Sequence, residues 1–173
     1  MTQKVIDVIN NQIKEEFYSS YLYLALSAQL EAWNFKGAAN WMLIQAKEEV
    51  DHAMGFFKFL TERGVAVKLE AIKKPEANVK NIQEVFEAGL KHEKFVTSLI
   101  GNIYEVAQAE KDYALISFIK WYIDEQVEEE ANATEMIDKI KLIGSDGSAL
   151  YLVDKDLAAR VYVPSGPYAA TAK

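Results

Sequence analysis

The 173-residue chain contains no cysteine and only three prolines. Without cysteine there is no disulfide scaffold, no thiol nucleophile, no cysteine-ligated zinc and no iron-sulfur cluster, so any metal must be held by oxygen or imidazole. Scarce proline, with 50% hydrophobic and 26% charged residues, excludes collagen-like, low-complexity and disordered chains and leaves a globular protein with ample core. Basic residues are also few: 19 Lys plus Arg against 26 Asp plus Glu give a net charge of -7, which disfavours polyanions, and nucleic acid is not an expected partner. No run of about 18 apolar residues occurs, so no membrane span is expected. The opening segment MTQKVIDVINNQIKEEF carries charged or amide residues every few positions and has no signal-peptide core, and a cytoplasmic location is expected.

What the chain has instead is long helical periodicity. Breakers fall at Asn34–Gly37, between Arg63 and Lys80, at Glu110–Asp112 and at Gly144–Gly147, leaving four long pieces and a short one near 148–160. In the first piece Ile9, Ile13, Glu16, Ser20, Tyr23, Ser27 and Leu30 recur at alternating spacings of four and three, one face of a helix. The second repeats this from Ala38 through Met42, Gln45, Glu49, His52 and Phe56. The third does so from Ile82 through Phe86, Glu93, Val96 and Ile100, and the fourth from Leu115 through Tyr122, Gln126, Glu129 and Ala133. Four such seams predict an all-α four-helix bundle. Short breaks make the first two and the last two helices antiparallel hairpins. The middle connection spans roughly 55 Å when extended, enough to run back along a helix of about 40 Å, so one long crossover is expected. The domain is expected to cover residues 1–160, with an irregular tail over 161–173.

The seams break their own rule at one height. Glu16, Glu49, His52, Glu93, Gln126 and Glu129 occupy inward positions among apolar residues, and no Lys or Arg lies in the central part of any stripe. A buried carboxylate must be paired, protonated or bound to a cation. Glu16 lies eighteen residues before Asn34 and His52 eighteen after it; Glu93 and Glu129 flank Lys111 in the same way. The two hairpins also repeat: residues 16, 49 and 52 map onto 93, 126 and 129 with one shift of 77. The half-sites are thus Glu with Glu-x-x-His, and Glu with Gln-x-x-Glu, each i, i+3 pair on one helical face. Two facing half-sites of this kind are how carboxylate bundles hold two metal ions. Oxygen ligands with one imidazole suit Fe, Mn or Zn better than Cu(I) or Ca.

These residues stand in segments that together resemble one family. EFYSSYLY at 16–23, KEEVDHA at 47–53, KHEKF at 91–95, WYIDEQVEEE at 121–130 and ALYLVDKDL at 149–157 resemble the prokaryotic non-haem ferritins over residues 3–158. The resemblance implies a four-helix bundle with a short fifth helix, assembled as a homo-oligomeric shell of 24 subunits. It implies a ferroxidase that oxidises Fe(II) with O2 and stores ferric mineral inside. Glu16, Glu49 and His52 would hold the first iron, Glu49 would bridge, and Glu93 and Glu129 would hold the second, with Gln126 beside it. A third iron site would use Glu48, Glu125, Glu128 and Glu129. The family keeps a tyrosine beside the centre, and Tyr23 is placed to meet a ligand or donate an electron; Trp121 is expected nearby, with core packing the alternative for both. Haem-containing relatives carry a second Glu-x-x-His and a Met after the bridging Glu. Here the second pair is Gln126 and Glu129 and Val50 follows Glu49, so no haem is expected. Adjacent His92 points about 100° from Glu93 and is expected at the surface. The competing reading is a structural bundle that binds Zn or Mn without redox chemistry.

Overall fold

The computed structural model describes residues 1–144 and 146–169; the last four residues of the expected tail lie outside them. The chain forms α1 (Gln3–Ala32), α2 (Lys36–Glu62), α3 (Ile82–Ala109), α4 (Tyr113–Ile143) and α5 (Gly147–Leu157), and no strand among the described residues. Helix starts are set by local side-chain caps. Thr2, Asn81, Asp112 and Asp146 accept hydrogen bonds from backbone N–H groups in the first turns of α1, α3, α4 and α5. Both hairpin turns contain a residue in the left-handed region, Asn34 (φ 65°) and Lys111 (φ 55°), the points from which the sequence register was counted.

α2 is the exception, because Phe35 offers no side-chain cap. Its first turn is capped from elsewhere: the Asp154 carboxylate of α5 accepts the Ala38 N–H at 2.8 Å. This contact needs a glycine, since a Cβ on Gly37 would collide with the Asp154 carbonyl. The cap thus locks α5 across the start of α2.

α1 packs against both α2 and α3, and α4 against α3. The start of α1 (Ile9, Ile13) clusters with the end of α3 (Ile100, Ile103), and the end of α1 (Leu26, Leu30) with the start of α3 (Ile82, Phe86), so α1 and α3 are antiparallel. The crossover runs back beside α1: Lys68 N donates to Asn10 Oδ1 at 2.9 Å, Lys14 lies 3.8 Å from Glu70, and Val79 packs against the cluster that holds Leu22 and Leu26. α2 and α3 are therefore parallel, as the crossover length predicts. Between α2 and α4 the backbones stay apart and aromatic pairs fill the gap, Phe56 stacked on Tyr122 at 4.1 Å and Phe59 on Phe118 at 4.3 Å.

The core is divided. One apolar cluster gathers Ile9, Ile13, Phe56, Leu60, Ile100 and Ile119; the other gathers Leu26, Leu30, Met42, Phe86, Ile137 and Ile140. The six inward polar residues fall in the layer between them. No helix among the described residues is long and apolar enough to cross a membrane.

Replacing Gly37 with Ala is expected to destabilise the fold by about 1–3 kcal/mol through overpacking. Asp154→Ala is expected to cost about 1 kcal/mol through loss of the cap. Denaturant unfolding of the single and double variants checks this, and the double variant should cost less than the sum, because both changes break one contact.

Candidate metal centre

α1 supplies Glu16 and α2 supplies Glu49 and His52, and one ligand atom from each lies within 4.8 Å of the other two. All three are at most 2% exposed. His52 Nδ1 faces Glu49 Oε2 at 3.4 Å. Gln12, one turn before Glu16, donates Nε2 to its Oε1 at 2.9 Å, whereas Glu16 Oε2 is buried with no donor. The opposite half comes from α3 and α4. Glu93 Oε1 accepts the Tyr23 hydroxyl, and Oε2 accepts Gln126 Nε2 at 3.1 Å. Glu129 is buried beside Gln45 and feels the charges of Glu93 and His52.

Electrostatics follow from this burial. Desolvation, reinforced by mutual repulsion, raises the carboxyls of Glu16, Glu49 and Glu93, and raises Glu129 to about 8. For His52, burial favours the neutral ring, but Glu125, Glu49 and Glu16 outweigh it and hold the imidazole protonated well above its usual range. Burial and Glu93 keep the Tyr23 phenol protonated, so it stays a donor. No lysine or arginine is among the largest influences on the four carboxyls. Their donor set, hard oxygens with one imidazole and an unbonded buried oxygen on Glu16, fits divalent or trivalent cations.

The outer acids are arranged differently. Glu125 Oε1 stands 3.8 Å from His52 Nε2. Glu48 turns to Arg160, whose Nη2 donates to its Oε2 at 2.5 Å, while remaining close enough to Glu125 and Glu129 to feel their charge. Glu128 is exposed and joins neither, with no hydrogen bond or ion pair to the cluster among the described residues. Trp121 stands edge-on to the His52 ring at 5.4 Å, and Tyr122, whose hydroxyl donates to the His52 carbonyl at 2.9 Å, holds that residue's backbone. Gly55 makes room for that hydroxyl, which a Cβ would strike.

His92 is a correction. It is buried, not at the surface: its Nε2 lies 2.7 Å from Ser19 Oγ, it packs on Tyr18, and burial lowers its pKa to about 4. α1 and α3 approach so closely there that a position off the seam is still covered. The roles of Gln12, Tyr122 and Arg160 were also missed. Gln12 stands at i, i+4 from Glu16, a spacing that signals such a bond; Arg160 lies in an aperiodic segment that signals nothing.

A sequence profile of the ferritin-like domain matches residues 6–143. The chain belongs to the ferritin-like family. It is 37% identical to the bacterial non-heme ferritin of Staphylococcus haemolyticus over 94% of this chain and 98% of that protein. It is 38% identical to a probable bacterial non-heme ferritin-like protein of Haemophilus influenzae over 91% and 95%. Among solved structures, the open-pore ferritin of Archaeoglobus fulgidus superposes with a TM-score of 0.91 at 42% identity, covering 93% of this chain and 98% of that one. The bundle with its short fifth helix is therefore the ferritin fold.

Because the buried carboxyls bind protons more tightly folded than unfolded, the stability they give is present at low pH and lost as pH rises. For Glu129 the window is from the ordinary 4.5 to about 8. Metal-free protein should therefore lose thermal stability across this window, and Zn(II) should flatten the slope by displacing the same protons. Calorimetry in buffers of different ionisation enthalpy should show proton release on Zn(II) binding, with affinity rising with pH up to about 8.

Proposed function

We propose that this ferritin-like chain is an iron-storage protein with ferroxidase activity, taking Fe(II) and O2 as substrates. The observation that carries this reading is the polar layer, in which four buried carboxyls and one imidazole from four helices converge without a lysine or arginine among them, and Glu16 Oε2 has no donor. Buried carboxylates in this number need cations, and at that height the fold supplies only the single charge of the His52 imidazole. Glu16, Glu49 and His52 would hold one iron ion, and Glu93 and Glu129, with Gln126 adjacent, a second, with Glu49 able to serve both.

The chemistry follows from the ligands. Hard carboxylates favour Fe(III) over Fe(II), which lowers the potential and lets O2 act as oxidant. Each Fe(II) gives up one electron, so two reduce O2 to hydrogen peroxide and four reduce it to water. The buried layer excludes bulk water, Trp121 and Tyr122 fix the His52 ring and backbone, and the Tyr23 hydroxyl and the Gln126 amide hold Glu93 in place. Hydrated ferric oxide is the product to be stored. The relatives support a homo-oligomeric shell, and 24 subunits in the cytoplasm is the form we propose. Exposed Tyr151 and Leu152 on α5 offer apolar surface for subunit contact. Gln126 and Glu129 in place of a second Glu-x-x-His favour a site without haem.

Fe(II) added in air to metal-free protein should give rapid O2 uptake and a ferric absorbance. Glu49→Ala should slow it by about 100-fold or more, since the residue both bridges and neutralises. Tight Zn(II) or Mn(II) binding with Fe(II) oxidation no faster than background would favour the structural reading instead. A particle mass near that of one subunit would refute the shell.

A further inference from the structure

The segment after α5 is irregular but not loose. From Arg160 it turns back along α2 and is fastened residue by residue: the Arg160 carbonyl accepts Asn40 Nδ2 at 3.0 Å, the Tyr162 hydroxyl and the Ser165 N–H donate to Asp51 Oδ2 at 2.7 and 3.0 Å, and Pro167 packs over Gly55. Further along, the Tyr168 hydroxyl donates to Glu62 at 3.1 Å with Lys58 over its ring. This strap runs along α2 and reaches α4 where Tyr168 meets Phe118. Ser165 Oγ reaches to 3.4 Å from His52 Nε2, the ring nitrogen that faces Glu125.

At the start of the strap the Arg160 guanidinium lies where acids of two helices meet. It donates to Glu48 Oε2 at 2.5 Å, to Gln45 Oε1 at 3.0 Å and to the Trp41 carbonyl at 3.4 Å, and its plane lies over the Trp41 ring at 4.4 Å. Glu48 in turn feels Glu125 and Glu129. A guanidinium is always charged, and its planar fork is matched here by three acceptors and an aromatic face. A metal ion taking Glu48 would have to displace the guanidinium from its three acceptors and the Trp41 ring.

We propose that Arg160 is the built-in cation of the outer acidic position, occupying the place a third metal ion would take beside Glu48, Glu125 and Glu129, so that the centre of this chain fills with two ions. The inference rests on the two-ion reading of the inner site, and the test separates the two. The assembled protein is loaded with Zn(II), which does not change oxidation state, and ions are counted per subunit by calorimetry and located by anomalous scattering in crystals. Parent protein and Arg160→Lys should hold two ions at the inner residues. Arg160→Gln, which keeps hydrogen bonding but removes the charge, should gain a third ion at Glu48, and Glu48→Gln in that background should abolish it. Thermal melting and particle size confirm that each variant is assembled. A third ion at Glu48 in the parent, with Arg160 in place or displaced, overturns the proposal, as does a count of two in Arg160→Gln. Either result leaves the inner site standing. Fewer than two ions in the parent overturns the reading of the inner site, and this inference with it.

Discussion

Four carboxyl groups held at one height inside a helical bundle repel one another and have lost their water, and the remainder of the molecule is organised around that cost. Each is raised chiefly by burial, Glu49 and Glu129 further by the nearby Glu93, and the one imidazole among them is held protonated. An apolar layer in their place would pack the two hydrophobic clusters into one continuous core and give a more stable bundle. Retaining the polar layer makes sense only if something else neutralises it. The ligand set, the orphaned Glu16 oxygen and the family to which the chain belongs agree on what that is.

Meeting this constraint requires rigid, long elements. The four main helices are each at least 27 residues, and the acids sit near their midpoints, with apolar clusters above and below. Left-handed residues Asn34 and Lys111 close the hairpins tightly, so neighbouring helices cannot slide in register without breaking a turn. The stacked aromatic pairs between α2 and α4 keep those backbones apart beside the polar layer. Asp154 and Gly37 pin α5 to the start of α2, and this delivers the strap to the outer edge of the site.

What could be read in the sequence was whatever repeats along a helix. The level placement of Glu16 with His52, and of Glu93 with Glu129, follows from counting residues to a turn, because helix rise is constant; the structure brings Glu16, Glu49 and His52 within 4.8 Å. The crossover was legible from its length. Contacts between segments without a shared period were not. Arg160 is one arginine in an aperiodic stretch, and only the docking of α5 decides that it meets Glu48 from 112 residues away. His92 failed for a related reason: helical phase gives a direction from the axis but not how near the next helix stands, and α3 lies so close to α1 that Ser19 covers it. Glu128 shows the converse, an acid in a rich acidic run that simply faces solvent.

The internal repeat has diverged in a way that gives its halves different tasks. In the first half Glu16 and Glu49 share the charge of His52, and one Glu16 oxygen stays without a donor. In the second half the position equivalent to Glu49 is the neutral Gln126, and Glu93 is satisfied by two neutral donors, its amide and the Tyr23 phenol. Tyr23 is kept protonated by its burial and by the acids that surround it, so its hydroxyl is a dependable donor that fixes the Glu93 carboxylate. A cation bound in the first half would meet an oxygen without a donor but would have to displace the His52 proton, whereas one in the second would compete with hydrogen bonds already made. The asymmetry is therefore electrostatic as well as chemical: the α1 and α2 half sets an unpartnered carboxylate oxygen beside a charged imidazole, whereas Glu93 in the α3 and α4 half is satisfied by neutral donors alone.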